Sequence, residues 1–170
     1  MDDYPEDVME IANRGQEIGS HSMNHPDMTT ISEEQIVMEL DETAKRIKQV
    51  TGVEPTLFRP PYGAYNNTFM SLAEAKGYSI IQWDVDSLDW KDIRCEQIVE
   101  RVVRNAKNGS IILFHNNAQY VCDYLPQILE KLKADGYEIV PVGELIMREN
   151  YHMDHTGKQC TDQAAEEDIS

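Results

Sequence analysis

Apolar positions along the chain alternate between a helical spacing and short continuous runs. Val8, Ile11 and Ala12 form a stripe at helical spacing within Tyr4-Pro5 to Arg14, which predicts a first helix. Pro5 suits its first turn and Gly15 the left-handed position past its end. Ser32-Glu33-Glu34-Gln35 has the spacing of a capping box, and Ile36, Val37, Leu40, Ala44 and Ile47 carry a second helix as far as Gly52. A third carries Phe69, Met70, Leu72 and Ala73, capped by Asn66 or Asn67 and ended by Gly77. Ile98, Val99, Val102, Val103 and Ala106 make a fourth stripe, closed by Asn108-Gly109; Leu125, Ile128, Leu129 and Leu132 make a fifth, closed by Gly136. The intervening apolar runs predict strands at residues 16–20, Leu57–Arg59, Tyr78–Trp83, Ser110–Phe114 and Tyr137–Val140. Helices alternating with buried-type strands predict an α/β fold with a mostly parallel sheet. From Asn150 the chain is polar and acidic at its end, which predicts a surface extension or partly disordered tail over 150–170 and a single domain over 1–149.

Unusual polar groups sit at the carboxyl ends of these predicted strands. His21-Ser22-Met23-Asn24-His25 follows the first, Arg59 ends the second, Asp84 to Trp90 follow the third, and His115 ends the fourth. Ligands of parallel sheets bind beyond the carboxyl ends of the strands. Scattered structural residues would not collect at one rim, so this placement predicts an active site there. The chain opens on a helix, and five strands are too few to close an eight-stranded barrel, which needs ~250 residues. The expectation is a distorted, incomplete (β/α) barrel whose first strands are missing, with Met1 an internal methionine of a longer protein. An unpaired sheet edge would then invite self-association.

The rim residues offer hydrolytic chemistry. Two imidazoles four positions apart can share a metal ion across a short helical turn, which Pro26 would end at once. Taken alone, H-x-x-x-H is matched as well by two histidines on a solvated loop. A metal on neutral imidazoles polarises an acyl oxygen and lowers the pKa of bound water toward ~7, although zinc ordinarily wants a third protein ligand. His115 is a candidate general acid and Asp89 a candidate partner orienting its ring; a lone histidine at a strand end otherwise reads as a hydrogen-bonded core residue. Arg59-Pro60-Pro61-Tyr62-Gly63 is a stiff segment able to hold a peptide N–H at a developing oxyanion, or else a proline-stiffened loop with a surface arginine. Trp90, Trp83, Tyr62 and Tyr65 offer flat faces for a sugar ring, with Trp83 expected in the core.

Composition narrows the classes. The formal net charge of −16 leaves no basic face for displacing counterions from phosphate, which argues against a nucleic-acid partner. No apolar run is long enough to span a bilayer, and the first residues lack the basic and apolar regions of an export signal. The three cysteines, Cys95, Cys122 and Cys160, show no C-x-x-C spacing and read as free thiols.

Four segments in order resemble the motifs of the polysaccharide deacetylases, carbohydrate esterase family 4. The H-[ST]-x-x-H motif is His21 to His25, R-x-P-Y is Arg59 to Tyr62, D-x-x-D-W is Asp86 to Trp90, and L-x-H is Leu113 to His115. Any one of them is weak, but the ordered set is specific, and the resemblance covers about residues 4 to 148. It implies a distorted barrel and metal-dependent removal of N-acetyl groups from GlcNAc or MurNAc units of a chitin-like polymer or peptidoglycan. The implied metal is zinc, with cobalt or another transition metal as alternatives, and the full-length protein would be extracellular or cell-wall associated. His21 and His25 would be metal ligands and His115 the acid that protonates the departing amine. Asp89 would hold His115, and Arg59 would contact the family's catalytic aspartate. The Tyr62 backbone N–H would complete the oxyanion site. Leu113 would line the acetate pocket, and Trp90 would wall the groove.

The family's first motif, a T-F-D-D-G strand end carrying the general base and the third metal ligand, has no match. Neither Asp2-Asp3 nor Thr161-Asp162 ends an apolar strand. Impaired turnover by this chain is therefore expected, since losing a general base costs typically ~10²–10⁴-fold. One alternative is an inactive remnant that binds glycan through Tyr62 and Trp90. A metal amidohydrolase acting on a small amide is another.

Overall fold

The computed structural model describes residues 3–91, 93–116 and 118–162. They fall into two compact units, Met1–Asp86 and Ser87–Ser170, each with its own buried apolar residues.

The first unit contains α1 (Pro5–Asn13), α2 (Glu33–Thr51), β1 (Leu57–Phe58), α3 (Asn67–Ala75), β2 (Ser79–Ile80) and β3 (Val85–Asp86). The expected capping box starts α2: Ser32 Oγ accepts the Gln35 N–H at 3.3 Å, and Gln35 Oε1 accepts the Ser32 N–H at 3.0 Å. Those two bonds occupy backbone donors that a helix start otherwise leaves without partners. Gly52, at φ 76°, ends the helix in the left-handed region. Of the two candidate caps for α3, Asn66 is the one used, its Oδ1 accepting the Phe69 N–H at 2.9 Å.

Strands β1 and β2 pair in parallel, Leu57 opposite Ser79 and Phe58 opposite Ile80. The predicted strand at 16–20 contracts to a single parallel bridge between Ser20 and Phe58. There the chain runs so close to β1 that a Cβ on Gly19 would lie 3.1 Å from the Leu57 carbonyl oxygen. Phe58 is fully buried, its ring 5.5 Å from Phe69 and 5.7 Å from Tyr78, with Met28, Ile36, Leu40 and Ala73 completing the cluster. Burying a side chain of that size is worth roughly 1.5–3 kcal/mol. By contrast α1 forms where expected, but none of its residues is buried and Ile11 is exposed.

The second unit contains α4 (Cys95–Asn105), β4 (Ile112–Leu113), α5 (Val121–Ala134), α6 (Val142–Leu145), β5 (Tyr151–Met153) and β6 (Gln159–Thr161). Helix α4 packs on α5, and Ile98, Val99, Val102, Tyr124, Ile128 and Leu132 are buried there. The predicted strand Tyr137–Val140 is irregular. Its first N–H returns to the Leu132 carbonyl at 3.0 Å and its tyrosine hydroxyl donates to the Ala106 carbonyl at 3.1 Å, so the segment is held as a helix exit.

The tail carries two short strands that the sequence pattern did not specify. Strands β5 and β6 form an antiparallel hairpin with His152 opposite Cys160. Asp154 Oδ1 makes the turn by accepting the Thr156 hydroxyl (2.6 Å), the Thr156 N–H (2.8 Å) and the Lys158 N–H (3.1 Å). These bonds, led by the Thr156 hydroxyl, pull the Asp154 carboxyl down to about 2. Residues 163–170 of the predicted tail lie outside the described residues. Cys95, Cys122 and Cys160 are free, as expected, and among the described residues no helix is long and apolar enough to cross a membrane. The architecture is α/β with short parallel strands.

Candidate functional site

In the first unit the H-x-x-x-H segment is a strained loop rather than the expected helical turn. Ser22 and His25 both have positive φ, 69° and 57°, a region that costs a non-glycine residue about 1–3 kcal/mol. The loop closes on itself through the His25 N–H, which Ser22 Oγ accepts at 2.9 Å. It still brings the two rings together, with centroids 4.9 Å apart in an edge arrangement.

His21 is wired across 38 positions of sequence. Its Nδ1 lies 2.6 Å from the Arg59 carbonyl oxygen. A carbonyl can only accept, so the proton is on Nδ1 and the lone pair of the neutral ring is on Nε2, the arrangement typical of a metal-bound histidine.

That carbonyl belongs to the Arg59–Gly63 segment, where Pro60 and Pro61 are buried. Tyr62 (φ 60°) and Gly63 (φ 68°) follow as two consecutive left-handed residues. A Cβ on Gly63 would come within 2.9 Å of Trp83, so only glycine fits the combination of space and φ. Trp83 is half-buried rather than in the core, and faces the Arg59 guanidinium at 5.8 Å. Burial pulls the Arg59 guanidinium below its ordinary range, and its buried Nε has no hydrogen-bond partner among the described residues. The Tyr62 ring is 71% exposed and meets the His25 ring edge-on at 4.8 Å.

Sequence reasoning missed Glu39 in this unit. It is 3% exposed. Its Oε2 accepts the N–H groups of Met23 (2.7 Å) and Asn24 (2.8 Å), and its Oε1 accepts Asn24 Nδ2–H (2.7 Å). The signal was available: Glu39 falls on the buried face of α2, with Ile36, Leu40, Thr43 and Ile47, where a carboxylate needs specific donors.

In the second unit Asp89 is 4% exposed and accepts from three directions. Its Oδ1 is 2.7 Å from His115 Nδ1, while Oδ2 receives the His115 N–H at 2.9 Å and the Tyr124 hydroxyl at 2.8 Å. Burial by itself pushes the Asp89 carboxyl up. The bonds from the His115 backbone, the His115 ring, Tyr124 and Ser87 outweigh it and hold the group below its ordinary value. Burial and the Asp89 contact together push the Tyr124 phenol upward. The ring of Tyr124 stacks on Phe114 at 6.0 Å. Tyr124 was also missed, because its α5 stripe read as purely apolar.

Leu113 is buried, and its carbonyl accepts the Ser87 N–H at 3.1 Å. Trp90 is 59% exposed, and it lines a depression of about 270 Å³ with Asp89, Lys91 and Tyr120. A larger open groove of about 470 Å³ beside α2 is lined by Asp41, Lys45, Lys48 and Glu54 and holds none of the motif residues. Lys48 is paired to Glu54 there at 2.8 Å.

His21 and His25 fit as two nitrogen ligands of a divalent metal, since one has its tautomer set and the other lies beside it. Among the described residues no three of His, Cys, Asp or Glu gather into a metal-binding set, so a third donor for that pair is not supplied by them.

Comparison with known proteins places these motifs in a family. The model of the family described as polysaccharide deacetylase matches residues 1–81. The chain is 36% identical over 142 residues to the peptidoglycan-N-acetylmuramic acid deacetylase PdaC of Bacillus subtilis, covering 84% of this chain and 30% of that protein. The solved structure of that deacetylase superposes with a TM-score of 0.76, covering 84% of this chain and 69% of the solved one. A peptidoglycan-N-acetylglucosamine deacetylase of Bacillus cereus is 36% identical over 144 residues, 82% of this chain and 67% of that protein. A carbohydrate esterase family 4 pseudoenzyme from Bacillus anthracis, 30% identical, superposes with a TM-score of 0.81 over 85% of this chain and 51% of its own. The chain thus spans about a third of the first of these curated relatives and two thirds of another. With four ordered motifs, identities of 30–36% and superposition over more than four fifths of its length, the chain belongs to the polysaccharide deacetylase family.

Proposed function

We propose that this chain is part of a metal-dependent N-deacetylase acting on GlcNAc or MurNAc units of peptidoglycan or a chitin-like polysaccharide, outside the cell or at its wall. In that reaction a water oxygen bonds to the acetyl carbon, the C–N bond breaks, acetate leaves, and the amine nitrogen takes a proton. His115 delivers that proton. The observation that carries the reading is the pairing of His115 with buried Asp89, which accepts both the ring and the backbone N–H of that histidine and so fixes the donor's tautomer and direction.

His21 and His25 would hold the metal, which in such sites polarises the amide oxygen. The stiff Pro60–Gly63 turn positions the Tyr62 N–H for the developing oxyanion, and the unpartnered Arg59 Nε suits a carboxylate acceptor. Leu113 lines the methyl pocket and Trp90 the glycan groove. A distorted (β/α) barrel with a mostly parallel sheet is the architecture this function would use.

The 170 residues contain no T-F-D-D-G segment, so we expect turnover by this chain to be impaired. The same observation, with the similarity to a family pseudoenzyme, supports a second reading: glycan binding without turnover. Acetate release from N-acetylglucosamine oligomers with added zinc or cobalt separates the two. Metal-dependent release that falls ~10²–10⁴-fold in His115→Ala supports the deacetylase. Saccharide binding with no release, even from a form that carries a T-F-D-D-G segment, supports the second reading and overturns the first.

A further inference from the structure

We propose that Glu39 is a positioning residue for the two-histidine site: its buried carboxylate holds the His21–His25 loop in the one shape in which both rings can ligate a divalent cation. The proposal rests on the reading of His21 and His25 as ligands.

Three observations converge on it. First, the loop's own closure is an exposed bond, from the His25 N–H to Ser22 Oγ. Ser22 and His25 both occupy the left-handed region, which a non-glycine residue keeps only where surrounding contacts over-determine it. Between those two residues lie Met23 and Asn24, and both of their backbone N–H groups end on Glu39 Oε2. Second, the other carboxylate oxygen takes the Asn24 side-chain amide at 2.7 Å, so the whole acceptor edge of Glu39 faces the loop. Third, Glu39 is 3% exposed, on the face of α2 that also buries Ile36 and Leu40. An apolar residue would fill that position without the cost of desolvating a carboxylate. What a carboxylate adds there is a rigid acceptor for three N–H donors. Removing it takes away the acceptor of both peptide N–H groups that lie between the His21–Arg59 bond and the His25–Ser22 closure.

The loop's outer partners would then act as the groups around metal-bound histidines generally do: they orient the ligands, and their loss weakens metal binding by about 10–100-fold. The variant that isolates this is Glu39→Leu, which roughly keeps the volume and removes every acceptor for the loop's three N–H donors. Thr43→Ala is the control. Thr43 is buried on the same face of α2, and its hydroxyl donates to the Glu39 backbone carbonyl at 2.8 Å, one turn away from the loop.

The experiment is a cobalt(II) titration of the full 170-residue chain alongside amide hydrogen exchange at Met23 and Asn24. In Glu39→Leu, cobalt affinity is expected to fall about 10–100-fold, with faster exchange at both amides. Thr43→Ala should lower the melting temperature and leave both readouts unchanged. Wild-type cobalt affinity with protected amides in Glu39→Leu would overturn the proposal, and so would an equal loss of affinity in Thr43→Ala. A wild-type chain that takes up no cobalt would overturn the ligand reading instead, and amide exchange would then judge the positioning alone. Neither readout depends on acetate release.

Discussion

Two histidines in this protein are anchored through the same ring nitrogen to different partners. His21 Nδ1 meets a backbone carbonyl, that of Arg59, at 2.6 Å; His115 Nδ1 meets a buried carboxylate, that of Asp89, at 2.7 Å. The geometry is nearly equal and the chemistry is not. A carbonyl sets the tautomer and brings no net charge, which suits a ring whose other nitrogen offers its lone pair to a cation. A carboxylate also balances the positive charge of a ring that has taken up a proton, which suits a proton carrier. The two rings thus differ in the charge of their acceptor, which is the difference that the proposed roles of ligand and acid would use.

The largest expected effect breaks the charged side of the comparison. Asp89→Asn puts an NH₂ group among donors that now share a carboxylate, leaving buried N–H and O–H groups unsatisfied. It should lower stability by about 3 kcal/mol, read from urea denaturation. The pH dependence has a definite sign. The folded carboxyl lies below its ordinary value of 3.8, so its contribution is present above that value and is lost as pH falls through the lower folded value. Acid titration of stability should show this loss in the wild type, and the component should be missing in Asp89→Asn. No change in the acid limb between the two would refute the Asp89 account.

A smaller effect tests the carbonyl side. Gly63→Ala forces a Cβ against Trp83 at a left-handed φ and should cost roughly 1–3 kcal/mol. Because the Arg59 carbonyl heads the same stiff segment, the His21 Nδ1–H resonance should also shift or broaden in nitrogen-15 NMR. A stable Gly63→Ala with an unmoved resonance would show that the turn does not hold that carbonyl. Tyr124→Phe removes one of the bonds to Asp89 and should cost about 1.5 kcal/mol, with the His115–Asp89 contact retained. The mildest case is Ser22→Ala, which deletes an exposed bond to the His25 N–H. A loss of about 0.5 kcal/mol is expected, with faster exchange at the His25 amide and no change at His115.

These contacts explain why some of the molecule was legible in its residues and some was not. The Ser32–Gln35 box, the Asn66 cap and the Gly52 stop are local: the groups that make each bond lie within a few positions of one another, so spacing alone predicts them. Strand lengths are not local. Ser110–Phe114 reads as a five-residue strand with four apolar residues in a row, yet β4 spans only Ile112–Leu113, because a strand extends only as far as a neighbour pairs with it. Tyr137–Val140 has strand-like composition, but its first residue bonds backward to Leu132. The H-x-x-x-H motif announced its two rings but suggested a helical turn; the loop's actual shape depends on Glu39, 15 positions on from Asn24, and on Arg59, 38 on from His21. The polar residues on the stripes of α2 and α5 were the visible trace of that wiring.

The bonds from Glu39 to Met23 and Asn24 also make chain length between loop and helix a constraint in its own right. Within α2, one inserted residue rotates everything beyond it by about 100° and moves it about 1.5 Å along the axis. An insertion between Ser32 and Glu39 would therefore swing the carboxylate away from both amides while leaving every residue type in place. In this stretch, substitutions on the exposed face of the helix should be tolerated far more readily than the gain or loss of a single residue.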